Sequence, residues 1–253
     1  MVTQVYFISD IHLHCYHSES ENRKKAYLFD FFNEVKEKKA ILYIVGDMFD
    51  FWFEYKHVIP RHFFKVLRLL QEMVEAGCEI HVLAGNHDYW FESFFPEELG
   101  IEFHPDSVEA TFNGKSFYIY HADGILKRDR GYHLMKKILR NRFFIFLFRL
   151  IHPGISFGIA NYISSKSRHL TLRAPNLIEA ERQELIEYGQ KMVEKGYDYI
   201  VTGHFHLPTD HQYKKGKLIN LGDWIRYFTF GYFDGQNMRL CYWDRDSFKN
   251  HFK

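Results

Sequence analysis

Five short polar motifs, each placed directly after a strand-like apolar run, constrain this chain more than any other feature. They are Asp10-Ile-His12, Gly46-Asp47-Met-Phe-Asp50, Gly85-Asn86-His87-Asp88, His121-Ala-Asp123 and Gly203-His204-Phe-His206. The runs before them are Val5 to Ile8, Ile41 to Val45, Ile80 to Leu83, Phe117 to Tyr120 and Tyr199 to Val201, with a further run from Lys217 to Leu221. Largely apolar runs of three to five residues leading into Asp, His or Asn read as buried strands that deliver polar side chains at their carboxyl ends. In open α/β sheets that edge is where ligands gather, because loops from neighbouring strands converge there.

Helical patterns at 22–38, 60–76 and 176–195 separate the runs, and strand-helix-strand alternation predicts a largely parallel sheet. Asn113-Gly114 and Asp234-Gly235 each lie between extended segments and predict hairpins that add antiparallel strands. The expected fold is α/β, a two-sheet sandwich formed by one domain over residues 1–253, with a helical insertion at 126–173. A chain of 253 residues with 46% hydrophobic content can bury a core of that size.

Composition narrows the function classes. Cys15, Cys78 and Cys241 form no Cys-x-x-Cys pair, which argues against both a disulfide framework and a thiolate zinc site. The first strand begins at Val5, leaving no room for a cleavable signal, and no stretch of about 20 strongly apolar residues occurs. A cytoplasmic protein whose contact with membrane is peripheral is the expectation.

Carboxylates, imidazoles and a carboxamide are the donors that hold a pair of hard or borderline divalent cations and activate water on a phosphate. The ordered motif set resembles the calcineurin-like metallophosphoesterases, and the resemblance covers most of the chain. It implies a four-layer αββα sandwich and a dinuclear centre. One metal would take Asp10, His12, Asp47 and His206, and the other Asp47, Asn86, His121 and His204. Asp47 would bridge, its two oxygens serving two cations about 3.5–4 Å apart. His87 is left over from ligation and is expected to touch the phosphate or leaving oxygen as a donor or general acid, with Asp50 orienting and charging its imidazole. Manganese, iron or zinc suits such a site, manganese first.

Segment 126–173 is the other unusual feature. It holds eleven Lys or Arg and one acidic residue, Asp129, a local charge of +10 in a chain whose total is +1. Such asymmetry predicts an anionic partner. Inside it, Phe143 to Phe148 is an unbroken apolar block bracketed by Arg140, Arg142 and Arg149. One helix face cannot bury six consecutive apolar side chains, so some must meet another apolar surface, either acyl chains with the arginines reaching headgroups or the main domain. A basic stripe with aromatics also suits a single nucleic-acid strand, but a contiguous block offers no spaced stacking platforms.

Gly46-Asp47-Met-Phe-Asp50-Phe-Trp52, His121-Ala-Asp123, Asp129-Arg-Gly131-Tyr132, Ser164-Ser165-Lys166 and the position of the basic insertion resemble a narrower group, the UDP-2,3-diacylglucosamine hydrolases of lipid A synthesis. That resemblance implies hydrolysis of a nucleotide-linked glycolipid at the inner membrane surface, with Asn86, His87, Asp129, Tyr132, Lys166 and His204 touching substrate and no obligate protein partner. The alternative is a phosphoesterase acting on nucleotides or nucleic acid. The chain departs from that group at His87, where members carry Arg, and at Ile163, where they carry Asn.

Overall fold

Strand β1 (Val5–Ile8) is buried on both faces, and this explains why its sequence is continuously apolar. Tyr6 and Ile8 point into one hydrophobic cluster and Val5 and Phe7 into another. The computed structural model describes residues 3–16, 18–126, 130–159 and 175–243. β1 pairs in parallel with β2 (Ile41–Val45), which pairs with β3 (Glu79–Leu83), which pairs with β4 (Glu102–His104).

The second sheet is built from β5 (Val108–Phe112), β6 (Lys115–Tyr120), β7 (Tyr199–Thr202), β8 (Thr209–Tyr213) and β9 (Gly216–Asn220), in the order β5-β6-β7-β9-β8 with a parallel centre and antiparallel edges. β10 (Thr229–Phe233) and β11 (Met238–Tyr242) return to the first sheet as antiparallel strands beside β1. Both expected hairpins are present: Asn113 and Gly114 carry positive φ between β5 and β6, and Asp234-Gly235 joins β10 to β11.

Four layers follow from where the apolar faces go. Val5, Phe7, Tyr43, Val45 and Leu83 of the first sheet meet Phe117, Ile119, Val201 and Ile219 of the second. Helices α1 (Glu19–Lys38) and α2 (Phe64–Glu75) cover the outer face of the first sheet through Leu28, Phe31, Phe32, Leu67 and Leu70. Beyond the short α3 (Phe94–Glu98), helices α4 (Arg130–Leu139), α5 (Arg142–Arg149) and α6 (Pro153–Ile159) lie in the segment between β6 and the last helix, α7 (Pro175–Glu194). α7 covers the second sheet, placing Leu185 and Met192 against Ile200 and Leu218.

Helix α1 starts three residues earlier than its periodicity predicts, because Ser18 accepts a hydrogen bond from the Glu21 N–H at 3.1 Å and caps it. The pattern at 60–76 opens instead as a turn of 3₁₀ helix, Arg61–Phe63, before α2. Three elements carried no readable signal: β4 has three residues, α3 has five, and β8 is a polar edge strand, Thr-Asp-His-Gln-Tyr. All six parallel-paired runs end on the same rim, and the five motifs follow β1, β2, β3, β6 and β7 onto it.

Candidate dinuclear metal centre

Asp47 lies at the centre of the rim. Its Oδ2 is 3.6 Å from His12 Nε2 and 3.4 Å from His121 Nε2. Its Oδ1 accepts the His87 backbone N–H at 2.9 Å. Oδ2 faces both sides, while Oδ1, expected to serve one of the cations, accepts a main-chain N–H and keeps a second lone pair.

On one side, Asp10 Oδ1 sits 3.7 Å from His12 Nε2 and 3.4 Å from His206 Nε2. On the other, Asn86 Oδ1 sits 3.3 Å from His121 Nε2 and 2.9 Å from His204 Nδ1. All seven expected ligands thus converge in two groups that share one carboxylate oxygen. A second grouping also exists, because His87 with His12 and Asp47 has donor atoms within 4.8 Å of one another.

The donor set fits cations on an observation independent of residue type. Asp10 Oδ1 and His12 Nε2 are buried without a hydrogen-bond partner among the described residues, and buried polar atoms seldom go unpaired unless a ligand takes them. The backbone is bent to bring them there: Asp10, His12, Asp47, His204 and His206 all have positive φ, between 46° and 70°. Each such conformation costs roughly 1–3 kcal/mol in a non-glycine residue, which tight packing must offset.

Further side chains hold the donors. Ser9 Oγ donates to Asp10 Oδ2 at 2.7 Å, and His121 Nδ1 is 2.8 Å from the Val45 carbonyl. His206 Nδ1 is 3.3 Å from Asp223 Oδ2, and the Asp88 carboxylate accepts from the backbone N–H groups of Asp47, Phe49 and Gly85 at 3.0–3.2 Å. Carboxylates and carbonyls behind imidazoles fix ring orientation and tautomer. The sequence reading missed the supporting roles of Ser9, Asp88 and Asp223. Asp223 could have been found, because it follows the β9 run as the other ligands follow theirs.

Asp50 is expected to orient and charge His87; it holds the ring through its main-chain carbonyl, and its charge works against the burial that lowers the His87 pKa. His87 Nδ1 is 2.9 Å from the Asp50 main-chain carbonyl, whereas the Asp50 carboxylate lies 3.1 Å from His14 Nδ1 and 3.7 Å from His12 Nδ1. A carbonyl can only accept, so the His87 proton resides on Nδ1 and the Nε2 lone pair is left available. Burial, against the pull of Asp47, lowers the His87 pKa, so its ring is neutral in this state.

The other imidazoles divide. Burial opposes charge at His12, yet Asp10, Asp50 and Asp47 raise it to about 10; burial likewise opposes charge at His121, yet Asp47 raises it to about 10. His204 falls to about 3 through burial and the neighbouring His121 charge. Burial and the Asp47 charge push Asp88 up to about 7.

Helices α4 to α6 are anchored on the same loops. Asp123 pairs with Lys136 Nζ at 2.8 Å and with Arg140 at 3.2 Å. Phe51, Phe53, Tyr55 and Trp90, from the Asp47 and Asn86 loops, pack against Ile145, Phe148 and Phe157. Arg140 also stacks on Tyr89 at 4.1 Å, and Arg149 pairs with Glu92, so the expectation that these two arginines point to headgroups is replaced by internal pairing. Among the expected substrate contacts, Asp129 and Lys166 lie outside the described residues, as do Ile163, Ser164 and Ser165. Tyr132 is in α4, with its side chain outside the described set.

A profile of the family described as calcineurin-like phosphoesterase matches residues 3–208. The chain belongs to that family. Its relatives include proteins named UDP-2,3-diacylglucosamine hydrolase. One from Porphyromonas gingivalis is 31% identical over 255 residues, covering 95% of this chain and 97% of that protein. Others are from Pseudomonas fluorescens, 27% identical with 95% of each covered, and Haemophilus influenzae, 28% identical with 88% of this chain and 92% of that protein covered. The family is one of hydrolases, and its dinuclear metal chemistry agrees with the two donor groups around Asp47.

Two predictions follow from this geometry. A Cβ at Gly85 would fall inside van der Waals contact with Asp47 N and Oδ1, so Gly85→Ala should displace the bridging carboxylate and cut bound metal to below about one equivalent while circular dichroism is unchanged. Retention of two equivalents by elemental analysis would contradict it. Because His12 and His121 are protonated at neutral pH without metal, cations must displace those protons, so affinity should rise with pH and loading should release about two protons. Titration calorimetry in buffers of different ionisation enthalpy reads that number; an affinity flat between about pH 6 and 8 would refute it.

Proposed function

We propose that this chain hydrolyses UDP-2,3-diacylglucosamine, adding water across the pyrophosphate to release UMP and 2,3-diacylglucosamine 1-phosphate. The observation that carries the reading is the pairing of a dinuclear donor set with an apolar helical face, in a chain 31% identical along nearly its whole length to a protein of that name.

We assign the two ligand groups as before: Asp10, His12, Asp47 and His206 on one side, and Asp47, Asn86, His121 and His204 on the other. When bound, two divalent cations, manganese by preference, lower the pKa of a water and neutralise phosphoryl charge. Asp47 Oδ2 holds both sides at one spacing, and the left-handed backbone at Asp10 and His206 keeps those donors from relaxing into solvent. His87, neutral in the resting state, presents its Nε2 lone pair and takes a proton from solvent as substrate binds. It donates one only after the negative pyrophosphate raises its pKa, which couples proton delivery to substrate occupancy. Asp50 serves as a positioning residue for His12 and His14 through its carboxylate, and for His87 through its carbonyl. Asp129, Tyr132 and Lys166 remain assigned to the substrate.

The acyl chains are assigned to the block at Phe143 to Phe148. Ile145 and Phe148 face the protein, whereas Phe143, Phe144, Phe146 and Leu147 are 41–62% exposed, and Ile138, Leu150, Ile155 and Ile159 extend that apolar surface. No described helix is long and apolar enough to cross a membrane, and α5 and α6 turn by 118°, a shape that suits lying in the interface. We therefore place the protein peripherally on the inner face of the cell membrane. Internal pairing of Arg140 and Arg149 removes charge from the stripe a nucleic-acid strand would need, which disfavours the nuclease alternative.

The test is UMP release from UDP-2,3-diacylglucosamine, set beside single-stranded DNA and a soluble aryl phosphodiester; turnover of only the last two rejects the lipid substrate. His87→Ala should keep full metal content and slow turnover ~10²–10⁴-fold. Metal loss equal to that of Asp47→Ala would remove it from its assigned role. Replacing Phe144 and Phe146 together by Ser should raise the KM for lipid several-fold and leave the aryl substrate untouched, at ~0.8 kcal/mol per methylene no longer covered. An unchanged lipid KM would mean that these rings do not meet the acyl chains.

A further inference from the structure

Away from the rim, Glu79-Ile-His81 on β3 and Glu102-Phe-His104 on β4 repeat one spacing on neighbouring strands. The side-chain period of two puts each pair on one face, and the parallel register sets His81 opposite Glu102 and Leu83 opposite His104. The four polar side chains thus meet at the open edge of the first sheet.

Their contacts are directional. His81 Nε2 is 2.9 Å from Glu79 Oε1, and a carboxylate only accepts, so this nitrogen carries the proton and Nδ1 presents a lone pair. That lone pair lies 3.0 Å from His104 Nε2 and 3.3 Å from Glu102 Oε2, with Glu102 Oε1 3.7 Å from His104 Nε2. Tyr43 stacks flat on the His81 ring at 4.3 Å and holds its plane. An imidazole that donates its far N–H to a carboxylate while its near nitrogen meets a second imidazole and a carboxylate is the arrangement found behind and around a bound transition metal.

We propose that His81 Nδ1, His104 Nε2 and the Glu102 carboxylate form a third, peripheral site for a borderline divalent cation of the zinc class, with Glu79 as the positioning residue behind His81. Two nitrogens and an oxygen suit zinc over magnesium or calcium, and a three-ligand set leaves room for solvent. The glutamates are about two-thirds exposed, 64–65%, so an ion reaches the site directly from water. Burial lowers the His104 pKa, against Glu102, so the imidazole is ready to ligate at neutral pH. The bound ion would tie edge strand β4 to β3 and stabilise the fold by mass action.

The test is total metal by elemental analysis after the manganese-loaded holoprotein is dialysed against micromolar zinc. Wild type should hold three equivalents, Glu102→Gln and His104→Ala two each with turnover unchanged, and Asp47→Ala one. Glu79→Gln should weaken the third equivalent about 10–100-fold. Zinc should raise the melting temperature of wild type and not that of Glu102→Gln, while melting in chelator, equal among wild type and these edge variants, guards against misfolding. Wild-type stoichiometry in Glu102→Gln and His104→Ala, or no more than two equivalents in wild type, overturns the site. Retention of all three by Asp47→Ala would instead overturn the dinuclear assignment and leave the peripheral one standing.

Discussion

A single buried carboxylate oxygen, Asp47 Oδ2, lies between imidazoles from opposite sheets: His12 follows β1 and His121 follows β6. Asp47 itself is held by two neighbours, since its N–H donates to Asp88 and its Oδ1 accepts from His87 N–H. A charge so far from water is tolerable only where opposite charge surrounds it; burial opposes ionisation, yet the charge and hydrogen bond of His121, with His12 beside it, keep the carboxyl well below its usual range. The strained backbone at Asp10, His12, His204 and His206 is arranged around that one atom. The two-sheet core holds these loops in place.

The loops have a second task. Asp47 and Asn86 reach the rim on segments whose following residues, Phe51, Phe53, Tyr55 and Trp90, support α5 and α6. Asp123, two residues after His121, is tied to α4 by Lys136 and Arg140. The helical segment and the donors are therefore joined through short stretches of chain.

Much of this was readable in advance, for a definite reason. β1 and β2 are covered on both faces, so their sequences are uniformly apolar, and each change to Asp, Asn or His after such a run marks the point where a strand reaches the rim. Asn113-Gly114 and Asp234-Gly235 were legible because few other residues accept positive φ in a tight hairpin. What stayed hidden depends on tertiary geometry. No local pattern says that Asp47 Oδ1 accepts from a backbone donor, that Asp50 meets His87 through its carbonyl, or that Arg140 turns inward to Asp123. The short β4 and polar β8 were silent because neither buries a full apolar stripe, and the cluster of Glu79, His81, Glu102 and His104 needs their register to be seen.

Anomalous diffraction from manganese-soaked crystals, recorded on both sides of the metal absorption edge, addresses the central claim most directly. The account predicts two peaks about 3.5–4 Å apart flanking Asp47 Oδ2, with Asn86 on one side, Asp10 on the other and His87 outside ligand distance. A lone peak, or one ligated by His87 with His12 and Asp47, would contradict it.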